Sequence, residues 1–375
     1  MTYRCFLHYA ALSIVCLVCS CGNSDTGGWQ PSDPEATLEA RLLFSRLMKL
    51  QKEGCMYGHQ DDLMYGYHWW YDEGKSDTRE LTGDYPAVAG FELGWIELGE
   101  KESLDGVNFD SIAARIRLFH KMNGIITISW HAVNPIYIME TGTGQPNGSG
   151  SAWDVRDMSP NGLNAVRSIL PEGRHHALFN TWLDRLADFF IQLKDDRGRP
   201  IPFIFRPWHE HSGSFFWWGE SRCTDDEYAA LWRYTVNYLR SKGLHSILYA
   251  YNTDKTYSAE EYMKGYPGDE YVDMLTFDWY GQGEEFNRNI RQALDYTVRL
   301  ASNRHKLHAL SECGPITEEL LELLADYESS YLLTWRDTYV EGTSGHKLKI
   351  EPGNPMLKMK HDPHFLFLND INNLR

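Results

Sequence analysis

Cysteine is scarce where a scaffold would need it. Four of the seven cysteines, Cys5, Cys16, Cys19 and Cys21, crowd into the first 21 residues. The other three, Cys55, Cys223 and Cys313, are an odd number at no repeated short spacing. That excludes a disulfide framework and a zinc cluster, leaving packing as the main source of stability. Positive charge is also short: 36 Lys and Arg against 52 Asp and Glu give a net charge of −16. An extended basic surface for a nucleic-acid backbone is therefore not expected, whereas an uncharged partner is easily accommodated. No apolar run is long enough to span a bilayer, and from residue 34 onward there is neither a Pro/Ser/Gly linker nor a short repeat. These absences favour one domain over residues 34–375.

The N-terminus "MTYRCFLHYAALSIVCLVCSCGNSD" sets one early positive charge, Arg4, before an apolar stretch that ends near Cys19. This reads as an export signal. "VCSC" places small residues before Cys21 and resembles a bacterial lipoprotein processing box. Residues 1–20 are then a lipoprotein signal peptide, Cys21 the lipidated residue and 21–33 a flexible tether. An ordinary cleaved secretory signal is the alternative, and both place the protein outside the cytoplasm. With no dense acidic block after Cys21, the periplasmic face of the outer membrane is favoured over the cell surface.

What the chain has in plenty is aromatic surface, with 13 Trp and 22 Tyr. Such faces suit sugar rings, whose axial C–H groups are apolar. Eight short apolar runs recur, at 54–60, 85–93, 124–131, 202–210, 246–254, 273–281, 307–314 and 331–337. Between them lie stretches with apolar residues at three- and four-residue steps, including 109–122, 179–195, 225–241, 289–302 and 317–327. Strand then helix, eight times, predicts an α/β fold: a single closed (β/α)8 TIM barrel. A further helix over 33–51 is expected to plug its base.

Each run ends in a residue with chemistry: His59, Glu92, His131, Glu210, Asn252, Tyr280, Glu312 and Trp335. In such a barrel the C-terminal strand ends converge on one mouth, where catalysis takes place. Glu210 and Glu312 end the fourth and seventh runs, which face each other across the pore. Two carboxyls about 5–5.5 Å apart perform retaining glycoside hydrolysis, one as nucleophile and one as acid and base. The rings of Trp208, Phe215, Phe216, Trp217 and Trp218 are expected to line a sugar-stacking wall beside Glu210.

The segment "RPWHEHSGSFFWWG" (206–219) resembles the acid/base segment of glycoside hydrolase family 26, mainly β-mannanases. "ALSECG" (309–314) is similar to its nucleophile segment. "YGHQDDLMYG", "ISWHAVNP", "SAWD", "FDWYG" and "LLTWRD" add support, so the resemblance spans roughly residues 40–340. It implies Glu210 as acid/base, Glu312 as nucleophile and Tyr280 as a hydroxyl bonded to the nucleophile. It also implies His131, Trp153, Arg206, His209, Trp218 and Trp335 around the sugar at the cleavage point, and Arg336 at the next sugar. Phe215 stands where the family often has Trp, and His211 where a small polar residue is common, so the sugar preference is open. The implied substrate is a β-1,4-mannan, galactomannan or glucomannan, cut internally or trimmed to mannobiose, with mixed-linkage β-glucan or β-1,3-xylan as neighbouring alternatives.

Two other classes compete. A metal site built on His209-x-His211 with His131 and Asp337 conflicts with strand alternation, which points Glu210 away from its two neighbours; no metal or other cofactor is expected. A glycan-binding surface lipoprotein explains the leader and the aromatics, but not two glutamates at facing strand ends. Trp69 and Trp70 read equally well as packing or as a distal sugar platform, and His59 as a mouth-closing group or a substrate contact.

Overall fold

The computed structural model describes residues 28–66, 69–137, 151–156, 158–314, 316–335 and 355–374. Eight parallel strands form a barrel: β1 (Cys55–Gln60), β2 (Val88–Glu92), β3 (Ile125–Trp130), β4 (Phe203–Pro207), β5 (Ile247–Thr253), β6 (Met274–Trp279), β7 (Leu307–Cys313) and β8 (Tyr331–Thr334). Each pairs with its sequence neighbour, and β8 closes on β1 through Met56↔Tyr331 to His59↔Thr334. All eight predicted runs are strands, and the expected single (β/α)8 barrel is present. Every strand is buried along its whole length, as parallel strands covered by helices must be.

The helix Leu38–Glu53 starts from a Thr37 cap and buries Ala40, Leu43, Phe44, Leu47 and Leu50 along one face. It crosses the base of the barrel. Thr37 N–H donates to the His245 carbonyl before β5, and the Ser330 hydroxyl before β8 donates to Gln51. The tether expectation differs for residues 28–33. Trp29 packs on His305 with ring centroids 5.6 Å apart, Ser32 N–H donates to Asp273, and Asp33 accepts from His245 Nδ1 at 2.9 Å. The physical reason is that an aromatic and an aspartate within this polar stretch find partners on the barrel base.

One irregularity prepares the mouth. On β7, Leu310 pairs with Phe277 and Leu332, but Glu312 pairs with Asp278 and Cys313 with Thr334. β7 thus carries one extra residue relative to both neighbours, a bulge of the kind that re-aims side chains. Ser311 and Glu312, adjacent in sequence, both serve the interior as a result. Ser311 Oγ donates to Asp278 Oδ1 at 2.7 Å, while Glu312 meets Arg206 and Tyr280.

Candidate active site

β4 ends at Pro207, and the next four residues turn. Trp208 and Glu210 take left-handed backbone conformations, φ 53° and 56°, which are costly for bulky residues and cluster at functional sites. The fourth run therefore stops earlier than expected, and strand alternation no longer governs 208–211. His209 points to His131, with Nε2 atoms 3.1 Å apart. His211 turns behind β5, stacks on Tyr228 at 4.1 Å, and its Nε2 lies 2.9 Å from the Lys264 carbonyl. The two histidines of the motif thus serve different places. Asp337 lies outside the described residues.

The aromatic block is packing more than wall. Trp208, Phe216, Trp217 and Trp218 are fully buried, and only Phe215, 38% exposed, presents its ring. Each indole N–H has an acceptor: Trp208 on Thr235, Trp217 on the Ala132 carbonyl, Trp218 on the His209 carbonyl. The stacking expectation is corrected for these four, because a buried indole with a satisfied donor is more stable locked against the turn than exposed. Gly219 closes the loop, since a Cβ there would lie 2.1 Å from the Gly213 carbonyl oxygen. The carboxylate held between histidines is thus clamped from behind by rings.

Glu312 is held on both oxygens. Arg206 Nη2 donates to Oε1 and the Tyr280 hydroxyl to Oε2 at 2.9 Å. Arg206 is completely buried, and its Nη1 also donates to Asn252 at 2.7 Å and Asp278 at 3.2 Å. It lies beneath the nucleophile candidate with no surface open to a sugar, unlike the expectation. The reason is charge: a guanidinium among acidic side chains in the barrel interior is compensated only there. Asn252 and Ser311 complete the network by donating to Asp278 Oδ1.

One carboxylate oxygen from each of Glu210, Asp278 and Glu312 lies within 4.8 Å of the other two. Burial, then the charges of Asp278 and Glu312, push the Glu210 carboxyl well above the usual carboxylate range. Asp278 is raised too, by burial and then by Glu312. With one guanidinium among three acids, the cluster holds protons to higher pH than separate carboxyls would. Burial and the surrounding negative charge also raise Tyr280, which keeps its phenol a donor to Glu312.

His131 is anchored by Glu92 on β2. Its backbone N–H and Nδ1 meet the two Glu92 oxygens at 2.8 and 2.9 Å. Although burial opposes ionisation of both partners, the pair holds Glu92 down at about 2 and raises His131. His209, fully buried beside His131 and Arg206, is driven well below the ordinary imidazole value, first by burial and then by those charges. The two rings are thus driven apart in proton affinity, His131 toward the cationic form and His209 toward the neutral one. Trp153, 47% exposed, stacks over His131 at 5.0 Å, and half-buried Trp335 approaches it at 5.9 Å.

The mouth thus brings together Glu210, Glu312, Tyr280, Arg206, His131, His209, Trp153 and Trp335. Trp218 stands one layer back, and Phe215 extends the rim. Arg336 lies outside the described residues, as does Cys21. His59 is buried with Nδ1 2.7 Å from Asp62, Trp69 packs with its indole N–H on Asp77, and Trp70 remains 45% exposed, stacked on Tyr65. Sequence reasoning missed Asp278. Its signal was present, since in "FDWYG" it precedes Tyr280 by two residues and shares its face.

Comparison with known proteins decides the lineage. The model of "Glycosyl hydrolase family 26" matches residues 32–350. The chain belongs to glycosyl hydrolase family 26. Within the family, it is similar to the β-mannanase of Bacteroides ovatus, at 34% identity and TM-score 0.80 over 90% of this chain and 98% of that one. It is likewise similar to the modular endo-β-1,4-mannanase of Cellulomonas fimi, at 30% identity and TM-score 0.77 over 91% and 78%. Among curated relatives, the mannan endo-1,4-β-mannosidase of Bifidobacterium adolescentis is 32% identical over 340 residues, 81% of this chain and 32% of that protein. That of Thermothelomyces thermophilus is 26% identical over 85% of this chain and 59% of its own length. The chain thus spans about a third to three-fifths of these two curated relatives.

Proposed function

We propose that the protein is a retaining endo-acting β-mannanase that cuts β-1,4-mannosidic bonds in mannan, galactomannan or glucomannan. The carrying observation is the separation of Glu210 and Glu312. Oxygens within 4.8 Å suit a sugar carbon attacked directly by one carboxylate, and leave too little room for the intervening water of an inverting enzyme, which needs roughly 6.5–9.5 Å. Endo-mannanase relatives on both the sequence and the structure side support the substrate class.

Glu312, oriented by Arg206 and Tyr280, attacks the anomeric carbon while protonated Glu210 gives its proton to the departing glycosidic oxygen. The first half-reaction leaves a glycosyl ester on Glu312 and a carboxylate on Glu210. Water then loses a proton to Glu210 as it attacks the same carbon, which frees Glu312 and restores the acid. Esterification removes Glu312's charge, one of the influences that raise Glu210. Trp153, Phe215 and Trp335 are the rings we assign to sugar stacking, with Arg336 assigned to the neighbouring sugar. NMR of the first products from mannohexaose tests the mechanism: β-anomer first supports retention, and α-anomer first overturns it. Early mixed product lengths support internal cutting, and early mannobiose alone overturns it.

We further propose that Cys21 carries a lipid that anchors the protein to the bacterial outer membrane, on its periplasmic face. The small residues before Cys21 support this reading. Cys21→Ser should move the protein from the membrane fraction to the soluble one, and unchanged fractionation overturns the anchor.

A further inference from the structure

The chain enters the barrel at the end opposite its catalytic mouth. Trp29 packs on His305, in the turn before β7. With Lys52, Lys306, His308 and Glu328 it lines a cavity of about 370 Å³ in the base. Ser32 and Asp33 fix the following residues to Asp273, His245 and Arg240, all at helix ends or strand starts on that same face. Glu312 lies near the far end of β7, six residues beyond Lys306, or about 20 Å at the rise of a strand.

Resting on the lipid anchor proposed above, we infer that the base of the barrel is the membrane-facing surface and that the catalytic cleft points away from the bilayer. Length excludes the opposite orientation. From Cys21 to Gly28 there are seven residue steps, which reach at most about 25 Å fully extended. The helix Gly283–Arg304 runs from the mouth, just after Tyr280, to the base, and its 22 residues span about 33 Å. A tether leaving the base is therefore too short to pass along the outside of the barrel and bring the mouth against the membrane. A polysaccharide too large to slip beneath the enzyme then meets an unobstructed cleft.

The test uses the full-length lipidated protein in phosphatidylethanolamine/phosphatidylglycerol vesicles. Single cysteines are placed at opposite ends of one helix, Glu284→Cys near the mouth and Asn303→Cys at the base. Buried Cys55, Cys223 and Cys313 should not compete for the fluorophore. Energy transfer to headgroup-labelled lipid should be several-fold stronger from position 303 than from 284, and equal or reversed transfer overturns the orientation. The ratio of activity on polymeric mannan to activity on mannohexaose should be the same on vesicles as for soluble Cys21→Ser, and selective loss of polymer activity on vesicles also overturns it. Failure of the wild-type protein to join the membrane fraction sinks the anchor together with the orientation. Membrane association with mouth-inward transfer sinks the orientation alone.

Discussion

Arg206 and Glu312, 106 residues apart in the chain, are joined by a charged hydrogen bond in the floor of the barrel mouth. The contact exists because β4 and β7 face each other across one pore and because the bulge on β7 turns Glu312 inward. It fixes the carboxylate we propose as nucleophile, while Glu210, the proposed acid, has its carboxyl raised well above the usual range.

Removing either carboxylate should have a different signature. Glu312→Ala should lower kcat by on the order of 10⁴ or more while mannohexaose still binds. Glu210→Ala should lose roughly 10²–10⁴-fold, less on aryl mannosides whose leaving group needs no proton. Azide should restore turnover of the Glu210 variant and give a β-mannosyl azide. Calorimetry, steady-state kinetics and product NMR check these outcomes, and an active Glu312→Ala protein would sink the assignment.

If Glu210 is the general acid, the alkaline limb of the pH profile should depend on Asp278. On the proposed mechanism Glu210 gives a proton, so activity should fall as pH rises through its raised pKa. Asp278→Asn takes one negative neighbour from Glu210. The alkaline limb of kcat/KM should then move to lower pH, and an unmoved limb means that Asp278 already holds the shared proton.

Exposed and buried rings should separate cleanly. Trp153→Ala and Phe215→Ala, at exposed positions, should each reduce kcat/KM on manno-oligosaccharides roughly 3–10-fold with little change in stability. Trp218→Ala should instead cost about 3–5 kcal/mol of stability, because its fully buried ring packs on Phe216 and His209. Denaturant unfolding alongside kinetics distinguishes the two kinds of residue.

Glu97 should make stability depend on pH. It accepts from Trp130 Nε1 and Val133 N–H, both at 2.8 Å, yet burial raises it to about 7 from 4.5. A carboxyl raised on folding contributes most when protonated, so stability should fall as pH climbs from about 4.5 through 7. The loss is roughly 3 kcal/mol at most. Glu97→Gln should remove that slope, so its deficit relative to wild type at pH 5 should shrink by pH 8; parallel curves overturn the reading. The Glu92–His131 pair works in the opposite sense at low pH. Glu92's contribution is fully present above 4.5 and lost as pH falls toward about 2, while that of raised His131 is complete below 6.5 and lost as pH rises through its folded value.

Periodicity alone determined the architecture, since strand and helix periods are local properties of neighbouring residues, and eight repeats close in only one common way. Residue type at the strand ends also singled out Glu210, Glu312, His131 and Tyr280. Tertiary structure decided what alternation could not. The early end of β4 at Pro207 sent His209 and His211 to different places, and the extra residue in β7 aimed Glu312. Which rings face solvent was decided there too, because exposure depends on neighbours distant in the chain: Trp218 and Phe215 lie three residues apart in one motif, yet only one is open. Asp278 became part of the site for the same reason, since a buried acid takes its proton affinity from the charges packed around it and not from its own sequence context.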